Sequence, residues 1–155
     1  MATDVNQYLG NPNLKKANVP VEFTKEQIQE YQKCMDDPVY FIQEYMKIVS
    51  LDEGLVPFKM YDFQKHMVQT FHDNRFTICK LPRQSGKSTT IIAYLLHYVL
   101  FNPNVNVAIL ANKSSTARDI LGRLQLGYEN LPKWLQQGVI SWNKGSLDLE
   151  NGSSI

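Results

Sequence analysis

Residues 79–90 read CKLPRQSGKSTT, and this stretch decides the fold prediction. An apolar run ending at Leu81 leads into it, and a long apolar pattern from Ile91 to Leu100 follows. A strand, a tight loop carrying Gly-Lys-Ser and then a helix form the context of a phosphate-binding loop. The flanking elements therefore favour nucleotide phosphate binding over an ordinary strand-to-helix turn.

Three consecutive residues supply the chemistry that a phosphate site needs. Gly86 has no side chain, so backbone N–H groups can close on phosphate oxygens. Lys87 can place a positive charge on the β- and γ-phosphates, and the Ser88 hydroxyl can ligate Mg²⁺. The helix that begins here directs its unpaired N–H groups and the positive end of its dipole toward the same anion.

The loop departs from the usual Walker A pattern. That pattern, G-x-x-x-x-G-K-[ST], places a glycine where this chain has Leu81, and Pro82 and Arg83 follow directly. The Arg83 guanidinium could reach the γ-phosphate or the site of a neighbouring subunit. An ordinary surface arginine is an equally good interpretation of the residue alone.

Composition sets broad limits on the function. The chain has 155 residues, 43% of them hydrophobic and 20% charged, which suits one globular domain. A net charge of +1 gives no argument for nucleic-acid binding. The two cysteines are isolated, residues 1–10 lack signal-peptide features, and no apolar run is long enough for a membrane span. A reducing cytosol is the expected compartment.

The chain divides into three predicted regions. Residues 1–22 form an extended N-terminal arm, residues 23–73 a helical lead-in, and residues 74–155 a partial P-loop ATPase core. Start signals and apolar spacing predict three helices in the lead-in. These begin at the Thr24–Gln27 capping box, at Asp36-Asp37-Pro38 with helical spacing through Val49, and at Tyr61.

The predicted core alternates strands and helices, which indicates an α/β fold with a parallel P-loop sheet of the RecA or helicase type. Period-two patterns after residue 138, with turn signals between them, predict a final hairpin that leaves the sheet incomplete. The predicted elements are a strand at Phe76–Leu81, a helix at Lys87–Phe101, a strand at Val105–Ala111, a helix at Ser114–Asn130 and a hairpin from Val139.

Other polar residues are weaker candidates for a site. Gln64 lies 23 positions before Lys87 and could read N6 and N7 of adenine, but the residues alone favour a solvent-facing glutamine on an amphipathic helix. Asp52 and Glu53 resemble a magnesium and water-activating pair, yet they precede the phosphate loop and are interpreted as a helix end and loop. The histidines are scattered, so a metal site is not expected.

The loop LPRQSGKST, from Leu81 to Thr89, resembles the deviant phosphate loop of the large terminase subunits of tailed bacteriophages, in particular the myovirus type. These proteins are the ATPase motors that pump DNA into the prohead. Further segments resemble the family in family order. They are Asn13–Asn18, Asp36–Phe41, Tyr61–Gln64, Ile109–Lys113, Trp142–Ser146 and Asn151–Ile155.

The resemblance implies roles for individual residues around bound ATP and Mg²⁺. Gln64 falls where the family has its adenine-recognising glutamine, and Arg83 falls on the loop arginine that senses or stabilises the γ-phosphate. Lys87 and Arg83 would be catalytic, and Ser88 would hold the metal ion. The remaining nucleotide contacts would come from Gln84, Ser85, Gly86 and Thr89, and Ala111–Ser115 would couple nucleotide state to DNA.

The resemblance also implies the wider function. The chain would be the N-terminal, ATP-binding part of a viral genome-packaging motor that acts in the host cytoplasm during phage assembly. Its partners would be double-stranded DNA, the portal protein, the small terminase subunit and other copies of the motor subunit, with no membrane. Two alternatives remain open: a superfamily 2 helicase fragment, and a non-catalytic remnant that only interacts with an intact motor.

ATP turnover by the 155-residue chain is expected to be weak or absent. Family members carry an Asp-Glu strand, which holds Mg²⁺ and activates water, and a nuclease domain, and neither follows the loop in this sequence. A phosphate-release assay on the purified chain checks this expectation. Steady turnover that Lys87→Ala abolishes would contradict it.

Overall fold

The computed structural model describes residues 6–50 and 52–155 as an α/β chain with five helices and three two-stranded antiparallel sheets. The α/β class is confirmed within these residues. The elements are β1 (Gln7–Tyr8), β2 (Asn11–Lys15), α1 (Lys25–Asp36), α2 (Pro38–Tyr45), β3 (Lys47–Ser50), β4 (Gly54–Pro57), α3 (Asp62–Asp73), α4 (Lys87–Phe101), α5 (Ser114–Glu129), β5 (Val139–Trp142) and β6 (Leu147–Leu149).

Helix α4 lies at the centre of the core. Its apolar residues face several directions, and Ala93, Leu96 and Val99 are completely buried. Helices α2, α3 and α5 pack around it, and Leu147 of β6 joins the same cluster. A helix that is apolar on most sides is stable only when neighbours cover it, so α4 is the element on which the others assemble.

The predicted helix starts are confirmed. Thr24 caps α1 in a reciprocal capping box with Gln27, at 3.2 and 3.0 Å. Asp37 caps α2 by accepting the Tyr40 N–H at 2.9 Å, and Pro38 occupies the first turn. These local signals act over four residues, which is why the sequence alone locates them.

The predicted extension of α2 through Val49 is wrong. The helix ends at Tyr45, and β3 pairs antiparallel with β4, with Ile48 opposite Val56. The β-branched residues of this segment favour a strand once a partner is present, and Gly54 supplies the turn with φ +73°. Asp52 and Glu53 lie in that turn.

The two predicted core strands form no continuous ladder, and the structure does not show a parallel P-loop sheet. Within the described residues, Phe76–Leu81 has no strand partner, and of Val105–Ala111 only Asn106 bridges in parallel, to Ser154. A ladder needs a paired neighbour, so apolar sequence alone does not form one. Side-chain exposure nevertheless alternates along both segments, as it does in a strand. Ile78 and Leu110 are 97% and 92% exposed. In the second segment Val105, Val107 and Ile109 pack on the core.

The described part of the predicted arm is docked on the last hairpin. Lys16 bridges in parallel to Val139, and the Glu150 carboxylate accepts hydrogen bonds from Lys15 Nζ at 2.9 Å and from the Asn18 N–H at 3.0 Å. Burial alone would raise the pKa of Glu150, but hydrogen bonds from Lys15, Gly138 and Asn18 together lower it. Residues 1–5 of the arm lie outside the described residues, and the three-region division stays a prediction.

No helix in the described ranges is both long and apolar enough to cross a membrane.

Gly138→Ala is expected to lower the free energy of unfolding by about 1–3 kcal/mol, which is the usual cost of forcing an extra methyl group into a well-packed site. An added Cβ would lie 2.5 Å from the Ala17 Cα and 2.5 Å from Glu150 Oε2, and the backbone atom cannot move aside. Gly122→Ala on α5 is the control, since nothing lies within 4 Å of its Cβ position and alanine favours a helix by about 0.8 kcal/mol. Urea unfolding measures both variants, and equal stabilities would contradict the packing account.

His97 is expected to make stability fall in mild acid. Its ring is 1% exposed, Nε2 donates to the Cys34 carbonyl at 2.9 Å, and the buried Nδ1 has no partner within the described residues. Burial lowers the pKa of His97 to about 4. The unfolded chain therefore binds the extra proton first, below an ordinary pKa of about 6.5. Stability should be complete above that pH and fall by about 3 kcal/mol as the pH drops to 4.

Denaturant unfolding between pH 4 and 7 tests this, with His97→Leu as the comparison. The leucine variant should show a flatter pH dependence, because leucine has no group that binds a proton in the unfolded chain. Identical slopes for both proteins would show that His97 does not carry the effect.

Candidate phosphate-binding site

The loop between Leu81 and Gly86 turns sharply into α4 with two residues in the left-handed region. Gln84 has φ +61° and Gly86 has φ +76°, and Gly86 is the residue that precedes the helix. No side chain caps α4, and the N–H groups of residues 87–89 have no acceptor within the described part of the chain, while the Thr90 N–H donates to the Gly86 carbonyl at 3.0 Å. Such unpaired, convergent donors at a helix start fit an anion.

The Lys87 ammonium group lies inside this loop. Its Nζ donates to the carbonyl oxygens of Leu81 at 3.0 Å and Pro82 at 2.6 Å. The Ser85 hydroxyl donates to the same Pro82 carbonyl at 2.9 Å, which closes the turn. The loop is thus folded around a cation whose two acceptors are neutral carbonyls, and phosphate oxygens are stronger acceptors for it.

A cleft of about 590 Å³ opens beside the loop. Its walls come from Ile48 of β3, from the start of α3 and from the loop residues other than Arg83. Tyr61 and Phe63 stand at the rim as a stacked pair, with ring centroids 5.9 Å apart and planes at 9°. The volume and the mostly apolar walls suit a small organic ligand such as a nucleoside.

Tyr61 and Phe63 were not identified as candidate residues from the sequence. They are 70% and 43% exposed, which is unusual for aromatic side chains. The available signal was their spacing, since they lie one and three residues before Gln64 at the start of a predicted helix. The structure places both aromatic rings at the cleft.

Gln64 is buried, so the interpretation as a solvent-facing glutamine is wrong. The residue is 3% exposed, and its Oε1 accepts the Tyr61 N–H at 2.9 Å. The side chain also lines the cleft beside Gly86. Burial results from the packing of α3 against the loop, a tertiary contact that helical periodicity does not encode.

The other predicted site residues lie around the same loop. Gln84, Ser85 and Thr89 line the cleft with Gly86, while Arg83 and Ser88 are exposed at its side. Arg83 makes no ion pair with any described residue. The structure thus brings the predicted residues into one neighbourhood, and their individual roles stay predictions.

No group of three or more His, Cys, Asp or Glu side chains that could hold a metal ion occurs in residues 6–50 and 52–155. The segment 111–115, predicted to couple nucleotide state to DNA, is exposed and leads into α5, with Lys113 at the N-cap.

Comparison with protein families finds a match over the second half of the chain. The family described as "Terminase large subunit, T4likevirus-type, N-terminal" matches residues 78–155, which is half of the chain. The match includes the whole phosphate loop, α4, α5 and the final hairpin, and it begins after α3 and Gln64.

Proposed function

The chain belongs to the large terminase subunits of T4-like-virus type, matched in their N-terminal part, and from this premise we propose that it is the ATP-binding part of a DNA-packaging motor. One observation carries the proposal. The Lys87 ammonium donates to two carbonyls of the loop at the start of α4, directly beside a cleft of nucleoside size.

Binding of the triphosphate would exchange the partners of Lys87. The ammonium group would leave the carbonyls of Leu81 and Pro82 for the β- and γ-phosphate oxygens, because charge-assisted hydrogen bonds are stronger than those to neutral acceptors. The unpaired N–H groups at the start of α4 would bind the same anion. Gly86 precedes the helix with a left-handed φ of +76°, which a residue without a side chain adopts without strain.

The residues beside the loop would complete the site. The exposed Ser88 hydroxyl would ligate Mg²⁺, which when bound neutralises charge on the β- and γ-phosphates. Arg83 is exposed and without an ion pair among the described residues, so its guanidinium is available to the γ-phosphate or to a neighbouring subunit. Gln84, Ser85 and Thr89 would contribute loop contacts to the nucleotide.

We also propose that Phe76–Leu81 and Val105–Ala111 act as strands of a parallel P-loop sheet. The support is the alternating exposure of both segments and the parallel bridge of Asn106 to Ser154. Each segment is followed by a helix that packs on the core, which is the strand-then-helix order of a parallel sheet.

The motor role extends the proposal to partners. DNA, the portal protein, the small terminase subunit and further copies of the large subunit are the expected partners of a packaging ATPase, and the host cytoplasm is the expected compartment. The family assignment supports these partners as a group. Hydrolysis of ATP coupled to DNA translocation is the proposed activity of the complete motor.

Lys87→Ala is expected to weaken binding of Mg²⁺-ATP about 10- to 100-fold, because a hydrogen bond to a charged group contributes about 1.5–3 kcal/mol. Isothermal titration calorimetry measures the affinity. Lys65→Ala is the matched control, since Lys65 lies on α3 in an exposed ion pair with Asp62. Adenosine, which lacks phosphates, should bind both variants like the unmodified chain. Unchanged ATP affinity in Lys87→Ala would contradict the proposal.

A further inference from the structure

We infer that Arg118 of α5 and Lys144 of the turn between β5 and β6 form a contact surface for the phosphate backbone of double-stranded DNA. The inference rests on the proposed function in one respect, namely that DNA is a partner of this chain. It goes beyond the coupling role predicted for residues 111–115, because neither cation belongs to that segment and neither lines the nucleotide cleft.

The two cations line one groove of about 310 Å³. Arg118 comes from the first half of α5, and Lys144 comes from the final hairpin, so the fold brings together residues that are distant in the sequence. Both residues are exposed, and among the described residues no carboxylate lies within ion-pair distance of either. Surface cations without an internal partner are available to an external anion.

The turn that carries Lys144 is fixed by hydrogen bonds. Asn143 Oδ1 accepts the N–H groups of Gly145 at 2.8 Å and Ser146 at 2.9 Å, and Asn143 Nδ2 donates to Ser146 Oγ at 2.8 Å. The Asn143 carbonyl accepts from Gln125 Nε2 at 2.8 Å, which ties the turn to α5. The two backbone segments that carry the cations are therefore held in a fixed relation before any ligand binds, which lowers the cost of binding.

The charge of this surface differs from that of the whole chain. Residues 105–126 and 141–148 contain four Lys or Arg residues and two Asp residues, a net charge of +2, whereas the whole chain has +1. One of these carboxylates, Asp119, is already paired with Arg123 at 2.9 Å. A polyanion therefore meets an excess of positive charge here, although the net charge of the chain does not indicate it.

The lining of the groove favours a duplex backbone over exposed bases. Among the described residues that line it, none is aromatic and none carries an amide side chain, and Ala108, Ala117 and Gly145 are small. Proteins that bind single strands stack the bases on aromatic rings, and base edges are read mainly by Arg, Asn and Gln. Contacts from Lys and Arg to phosphate oxygens carry no sequence information, so we expect binding that is independent of sequence.

The experiment measures binding of the chain to a fluorescently labelled duplex of arbitrary sequence, by anisotropy over a range of salt concentrations. We expect Lys144→Ala and Arg118→Ala each to weaken binding about 5- to 15-fold at about 50 mM salt, and to lower the slope of log affinity against log salt by about 1, as for the loss of one phosphate contact. The double variant should lower the slope by about 2. Lys25→Ala, which removes an exposed cation from α1, is the matched control and should change neither quantity.

Two further variants separate a positioned contact from net charge. Lys144→Arg keeps the cation, so its affinity and salt slope should stay within about twofold of those of the unmodified chain. Asn143→Ala keeps every charge but removes the bonds that fix the turn, so the salt slope should fall by up to about 1. Its affinity for Mg²⁺-ATP should stay unchanged, which shows that the chain is folded.

Several results would overturn the inference. These are a salt slope in Lys144→Ala or Arg118→Ala equal to that of Lys25→Ala, a loss in Lys144→Arg as large as in Lys144→Ala, and an unchanged slope in Asn143→Ala. Tighter binding of a single strand of the same length, or of polyglutamate, would assign the surface to another partner and equally overturn it. A chain that binds duplex but not ATP would contradict the proposed ATP site alone, whereas one that binds ATP but not duplex would overturn this inference alone.

Discussion

Helix α4 is buried along most of its length, and the other helices pack around it. No side chain caps its first turn, and the phosphate site depends on these uncapped N–H groups. More than half of its residues are buried, including Thr90 near its start. A helix fixed so firmly cannot tilt to accommodate a ligand. The phosphate site is therefore rigid on the helix side, and adjustment is left to the loop in front of it and to the Lys87 side chain.

Polar contacts join the N-terminal β1–β2 hairpin to the final β5–β6 hairpin. Glu150 accepts hydrogen bonds from the Lys15 ammonium and from the N–H groups of Asn18 and Gly138, so one carboxylate joins the segment after β2 to the residue before β5. Gln136, which is 3% exposed, adds bonds to the Lys15 N–H and to the carbonyls of Asn13, Tyr128 and Leu131. Buried polar groups with all partners in place fix one arrangement of the chain, because any shift leaves them unpaired.

Features encoded over a few residues could be predicted from the sequence, and features made by distant contacts could not. The caps at Thr24 and Asp37, the span of α4 and the neighbourhood of Lys87 followed from local patterns. The strand Lys47–Ser50 was mistaken for helix because its partner, β4, decides its state. The burial of Gln64 and the aromatic rim of the cleft depend on how α3 packs against the loop. The hydrophobic periodicity of the sequence does not indicate this packing.

The apolar side chains of Phe76, Ile78 and Leu110, at 83%, 97% and 92% exposure, have a consequence for the behaviour of the chain in solution. Two extended segments with exposed apolar side chains that, within the described residues, form no strand ladder beyond the bridge of Asn106 to Ser154 are templates on which another copy can add by edge-to-edge pairing. Association of this kind grows with concentration and is not saturated by a second molecule. The segment that leads into the phosphate loop is thus also where precipitation of the isolated chain would begin.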